Sequence, residues 1–152
     1  AHQKMSYAKF DSTYVDGYIA HQTPFETAMQ EVKNVFGLTL PTDPAAASAG
    51  KLLLTDYEVE NLRKAYERTL QVGSSSQSKM SQQDYELYGT YIPFSMAVCH
   101  TINHKSGMDH TTYAHTGAMV NVYAMGVGAE KFGGVYDNTE IYHKLAELTK
   151  VQ

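Results

Sequence analysis

Seven histidines offer acid–base or metal chemistry in this chain, and four of them crowd into residues 100–115. His100 and His104 stand four apart. If residues 93–105 are helical, the two rings share one face and are spaced to hold a metal ion between them. A second reading stands beside that one: no carboxylate or third histidine follows at a matching helical spacing, and an apolar helix also carries imidazoles that are simply hydrogen-bonded to neighbours. His110 and His115 fall beyond this helix, in a segment of Asp, Thr, Tyr and Gly. His115 directly precedes Thr116-Gly117, and the glycine lets backbone or substrate come close to the ring. On residue type alone, His115 is either a loop-borne site residue or a packing one. His2, His21 and His143 sit among polar residues and read as surface.

The elements that would hold these residues are announced by caps and periodicity. Pro93 suits a first helical turn and Gly107 a helix end, which predicts a helix over about 93–105. Met119 to Met125 alternates, with Val120, Val122 and Ala124 on one side and Asn121 and Tyr123 on the other, which is strand periodicity. Gly126, Gly128, Gly133 and Gly134 then break the chain into turns. A final helix begins near Asp137 or Asn138, with Glu140 in its first turn and Ile141, Leu145 and Leu148 facing inward. Strand, glycine-rich connection and amphipathic helix together predict an α/β layer.

The amino-terminal part reads as helical. Tyr7, Phe10, Tyr14 and Tyr18 recur at spacings of three and four on one face. Thr23-Pro24-Phe25-Glu26 and Thr55-Asp56-Tyr57-Glu58 each have the form of a capping box, the first opening a helix that Gly37 ends and the second a helix with Leu62, Tyr66 and Leu70 on one face. Residues 39–50 and the polar stretch from Val72 read as loops, so the helices at about 23–80 have the character of an insertion standing off a larger body.

Composition narrows the class. With 43% apolar residues in 152, the chain can bury a core, and it is expected to be globular rather than disordered. A net charge of −4 with scattered cations argues against nucleic acid or anionic lipid as a partner. No apolar run is long enough to span a membrane, and the first residues lack a signal-peptide pattern, so a soluble chain without a membrane partner is expected. The single Cys99 cannot form an internal disulfide, and no cysteine pair suggests structural zinc.

The segment 107–117, Gly-Met-Asp-His-Thr-Thr-Tyr-Ala-His-Thr-Gly, followed by Val120-Asn-Val-Tyr-Ala124, Gly126-Val-Gly-Ala129 and Asp137-Asn-Thr-Glu140, resembles the last portion of bacterial alkaline phosphatases. In that family a Thr-Thr segment leads into a His-Thr-Gly triplet, a strand, a Gly-Pro-Gly-Ala-like turn and an Asp-Asn-Thr-Glu helix start. Asn103-His-Lys-Ser-Gly107 is similar to the helix end before it, and the Thr55-Asp56 helix to the family's helical insertion. The resemblance implies an α/β, alkaline phosphatase-like fold with several helices and a short strand set, and residues 1–152 as its carboxyl-terminal part.

For the chemistry, the resemblance implies that His115 is a ligand of one of two catalytic zinc ions, with magnesium as a further cofactor. It implies a parent enzyme that hydrolyses phosphate monoesters through a phosphoserine intermediate, located in the periplasm or secreted, and homodimeric. Two departures stand out: His110 occupies the place of the family's usual Trp, and Val127 that of its proline. The Asp-Ser-Ala nucleophile segment, the phosphate-binding arginine and the upstream Asp-His ligand pair do not occur in these residues. The isolated chain is therefore expected to be inactive.

A reading from another class is a non-catalytic interaction module. Twelve tyrosines are unusually many. Tyr7, Tyr14, Tyr57, Tyr66, Tyr85, Tyr88 and Tyr91 could form a contact surface between helices or subunits, although rings of this kind also serve as core with the hydroxyl at the rim.

Overall fold

The computed structural model describes residues 3–73, 80–109, 112–113 and 117–150. The chain divides into two compact units, Ala1–Ala114 and His115–Gln152.

The first unit is helical. Helix α1, Tyr7–Phe10, is capped by the Ser6 hydroxyl and runs through one π-helical turn, Asp11–Val15, into α2, Asp16–His21. The π turn is wider than an α turn and shifts the face that follows it. Phe10, Val15 and Tyr18 are the buried residues here, and Tyr14, whose ring lies 5.5 Å from that of Phe10, is half-buried.

Helix α3, Phe25–Phe36, buries Phe25, Ala28, Met29, Val32, Val35 and Phe36 and ends at Gly37 in the left-handed region, φ +82°. The capping box expected at Thr23 does not form. Pro24 is the cap residue, Glu26 turns outward to Arg63 at 2.9 Å, and the Thr23 carbonyl accepts the Tyr66 hydroxyl at 2.6 Å. The second capping box is present: Thr55 and Glu58 satisfy each other's backbone N–H groups at the start of α4, Asp56–Val72.

Helix α5, Gln82–Tyr88, opens with a Ser81–Asp84 capping box, and α6 spans Pro93–Lys105 with proline in its first turn. Helices α4 and α6 form the principal helix pair. Between them Phe94 and Tyr66 meet edge to face at 4.9 Å, and Phe10 closes the cluster against Phe36 at 5.1 Å. Lys105, near the carboxyl end of α6, reaches the Leu53 carbonyl and Glu58, each at 2.8 Å, tying that end to the start of α4. Among the described residues no helix is long and apolar enough to cross a membrane.

The second unit contains a single 3₁₀ turn at Ala129–Phe132 and helix α7, Thr139–Thr149, among its described residues. Gly128 has φ +84° and lies against Leu148 of α7, where a Cβ would come within 2.3 Å of a Leu148 methyl carbon. The positive φ favours glycine there, and a larger residue would also require the Leu148 side chain to move. Ile141 and Leu148 are half-buried, while Leu145, expected to face inward, is largely exposed.

The α/β expectation is overturned. Among the described residues there are seven α-helical segments and no strand, and the one recorded bridge is an isolated parallel contact between Thr39 and Leu53. Residues 119–125 have the alternation of a strand but, among the described residues, no neighbour with which to exchange backbone hydrogen bonds. Without a ladder, alternation alone does not make a strand.

Candidate functional site

Helix α6 sets its two histidines one turn apart, as their spacing requires. The rings stack at 6.3 Å with 22° between their planes. His100 is half-buried and lies 5.7 Å from the ring of Tyr113, whereas His104 is exposed with Nε2 3.4 Å from an Asp109 carboxylate oxygen. Among the described residues, no three His, Cys, Asp or Glu side chains converge on a position where they could hold a metal ion. The described residues therefore do not by themselves fit a zinc ion, which takes at least three protein donors in a catalytic site. His110 and His115, the latter the expected zinc ligand, lie outside the described residues.

A concavity of the first unit lies beside His100. It is a cleft of about 280 Å³ lined chiefly by Tyr7, Tyr91, Cys99, His100, Asn103 and Tyr113. Its rings brace one another: Tyr7 meets Tyr91 edge to face at 5.7 Å, and Tyr91 lies 6.5 Å from Tyr113. The Tyr91 hydroxyl donates to the Tyr113 carbonyl at 3.1 Å. Burial pushes the Cys99 thiol up to about 11, with the Asp11 carboxylate adding to the effect. At neutral pH this cysteine is a protonated thiol, which is neither a nucleophile nor a metal ligand.

Below the cleft, the π turn points Asp11 at α6, where the Ser95 hydroxyl donates a short hydrogen bond to its carboxylate. Burial raises the Asp11 pKa and the Ser95 bond partly offsets that rise. No histidine stands beside Ser95 to make it a nucleophile among the described contacts; the pair joins α6 to the first helices.

Sequence reasoning passed over Tyr113, Gly89 and Thr69. Tyr113 and Gly89 meet across a gap of 24 positions and carry no local pattern, although the run Tyr-Gly-Thr-Tyr at 88–91 signals an aromatic cluster interrupted by a turn. Thr69 lies within a helix that reads from sequence as amphipathic, and nothing local marks its hydroxyl as bonded to another helix.

Residues 20–151 match the family model of alkaline phosphatase. The chain belongs to the alkaline phosphatase family. No curated protein and no solved structure matches it. The matched region takes in His115-Thr116-Gly117 and Asp137-Asn138-Thr139-Glu140, the motifs on which the likeness to alkaline phosphatases rests. It also takes in the helices α3 to α6.

Proposed function

We propose that this chain is the carboxyl-terminal part, with a helical insertion at about 23–80, of a zinc-dependent alkaline phosphatase that hydrolyses phosphate monoesters through a phosphoserine intermediate. The observation that carries the reading is the match to the alkaline phosphatase family over residues 20–151, with the His-Thr-Gly triplet at 115–117 inside it. In this reading His115 gives a neutral imidazole to one of two zinc ions, magnesium is a further cofactor, and the enzyme is a periplasmic or secreted homodimer. Paired zinc ions stabilise the attacking and leaving oxygens of phosphoryl transfer. Among the described residues no three His, Cys, Asp or Glu side chains form such a site by themselves.

The test is metal content together with turnover. In the longer polypeptide that carries the nucleophile, His115→Ala is expected to lower bound zinc and to reduce phosphatase activity by more than the roughly 10- to 100-fold that loss of an outer partner of a metal ligand causes. An unchanged zinc content would refute the assignment. The 152-residue chain alone is expected to hydrolyse a phosphate monoester no faster than buffer, and turnover that His115→Ala abolishes would contradict that.

One observation favours the second reading, a contact surface. Tyr57 is 76% and Tyr85 53% exposed, more than a solvent-facing phenol needs for its hydroxyl alone. Tyr66, by contrast, is core, and Tyr14, Tyr88 and Tyr91 are half-buried, which leaves a much smaller tyrosine surface than the full set of rings suggests.

A further inference from the structure

The cleft beside His100 is walled by tyrosine rings whose polar ends are already used. Tyr7, Tyr91 and Tyr113 all line it. The Tyr113 hydroxyl donates to the Leu87 carbonyl at 2.5 Å, the Tyr91 hydroxyl donates to the Tyr113 carbonyl at 3.1 Å, and Tyr7 is hydrogen-bonded to Tyr91. What these residues have left to offer a ligand is chiefly ring surface.

The rings meet at an angle. Tyr7 and Tyr91 are inclined at 80° with centroids 5.7 Å apart, and Tyr91 and Tyr113 at 50° with centroids 6.5 Å apart. A planar ligand stacks between parallel walls, whereas inclined walls suit a rounded group that touches several rings at once. A cation placed between either adjoining pair lies within the roughly 6 Å of both centroids over which a ring attracts it.

Charge selects the sign of the ligand. No Lys or Arg is among the lining residues, which argues against an anion. Burial is the main reason that the Tyr7 and Tyr113 phenols and the Cys99 thiol titrate above their ordinary values, but carboxylates contribute to each: Asp11 to Tyr7 and Cys99, and Asp109 to Tyr113. A negative potential therefore reaches the cleft from two carboxylates. A primary ammonium or a guanidinium brings N–H donors that each need an acceptor away from water, and the tyrosine oxygens are engaged. A quaternary ammonium brings none. At about 280 Å³ the cleft lies at the small end of the range for ligand pockets.

We propose that this cleft binds a small quaternary ammonium group, such as the trimethylammonium of choline, seated against the rings of Tyr7, Tyr91 and Tyr113. The site stands apart from the zinc assignment, and failure of either leaves the other as it is.

The test titrates choline chloride into the 152-residue chain at constant total salt and follows the N-methyl proton resonance. Ring currents are expected to move it upfield in a saturable way. The neutral isostere 3,3-dimethylbutan-1-ol, with the same shape and no charge, is expected to bind about tenfold more weakly. Tyr7→Phe keeps the ring and should bind choline like the parent, whereas Tyr7→Leu should weaken binding about tenfold, with circular dichroism checking the fold. Phosphocholine as a competitor identifies the source of the group: displacement of choline shows that a phosphate ester can deliver it, and no displacement that the free amine does, each in keeping with the site. Absence of a shift at about 10 mM choline, where a millimolar site would be mostly filled, overturns the proposal. So does equal binding of the isostere, or a folded Tyr7→Leu that binds choline like the parent. If Tyr7→Leu does not fold, the isostere comparison decides.

Discussion

Thr69→Val isolates one hydrogen bond on which the α4–α6 contact depends. Thr69 is fully buried between the two helices; its hydroxyl donates to the Ala65 carbonyl at 2.9 Å and accepts the Phe94 N–H at 2.9 Å. Helix α6 needs that acceptor because the residue at its cap position is Ile92, which has no side-chain oxygen, and Pro93 brings no N–H of its own. A hydroxyl 25 positions earlier therefore does the work of an N-cap. Valine has nearly the same shape and keeps the packing methyl, so the change leaves no cavity and removes only the oxygen. An unsatisfied buried N–H costs about 1–3 kcal/mol, and the greater hydrophobicity of valine offsets part of it, for a net loss of about 1–2 kcal/mol. That corresponds to a fall in Tm of roughly 4–12 °C for a unit of this size. Urea unfolding followed by far-UV circular dichroism should show the midpoint falling with the slope unchanged, and amide exchange at Phe94 should accelerate. If Thr69→Val is as stable as the parent to within about 0.5 kcal/mol and the Phe94 amide stays protected, the hydroxyl is not the cap and the argument fails.

Two tyrosines in one core should respond in opposite ways to loss of their hydroxyls. Tyr66→Phe removes the 2.6 Å bond to the Thr23 carbonyl and is expected to cost about 1 kcal/mol, whereas the Tyr18 hydroxyl is buried with no partner among the described residues, so Tyr18→Phe should be neutral or stabilising by up to about 1 kcal/mol; thermal melts of both check this, and a destabilised Tyr18→Phe would point to an internal water. Acid should weaken the α4–α5 junction through Asp84. Arg68, bonded to it at 2.7 Å, holds the Asp84 carboxyl down to about 2, against the opposing effect of burial and with help from the Ser81 N–H and hydroxyl. Because the folded pKa lies below the unfolded value, this contribution is complete above about pH 5 and disappears as pH falls toward 2; it amounts to about 1–2 kcal/mol once discounted for the partly solvated Arg68 end. Asp84→Asn should flatten that part of the stability-against-pH curve, and a curve of unchanged slope would rule the pair out as its cause.

Elements are legible in the sequence where the chemistry that sets them is local. Proline at 93 and the basic, glycine-terminated end near 105 placed α6, and the Thr55–Glu58 pair placed the start of α4, because each depends on groups within a few positions of one another. The Thr23 box has the same spelling as the Thr55 box, yet tertiary contacts outcompete it: Glu26 pairs with Arg63, and Thr23 offers its carbonyl to Tyr66. The first helices show a different failure. Nothing in Asp-Ser-Thr-Tyr-Val announces a π turn, and that extra residue brings Val15 into the core while Tyr14 packs half-buried against Phe10. Of the candidate site, the α6 histidine pair was legible because a helix fixes the spacing of its own side chains. The seat of Tyr113 over Gly89 was not, since it joins two turns that share no periodicity.

The largest disagreement between pattern and structure, at residues 119–125, follows from what a strand is. A helix satisfies its backbone within itself, so its pattern and its formation are one local fact. A strand satisfies its backbone only through a neighbour, so alternation states which faces would be buried if a neighbour were there. Here both alternating sets are largely apolar, Asn121 being the polar exception: Val120 is 84% exposed and Tyr123 87%, and Met125 and Val127 are fully exposed. No Asp, Glu, Lys or Arg stands between Asp109 and Glu130 to keep such a segment from pairing. Apolar residues on both faces and an absence of charge are the composition of an interior strand rather than of a surface loop. The sequence pattern that predicted α/β therefore describes the environment these residues are suited to, while the irregular backbone they adopt is what remains without a paired neighbour.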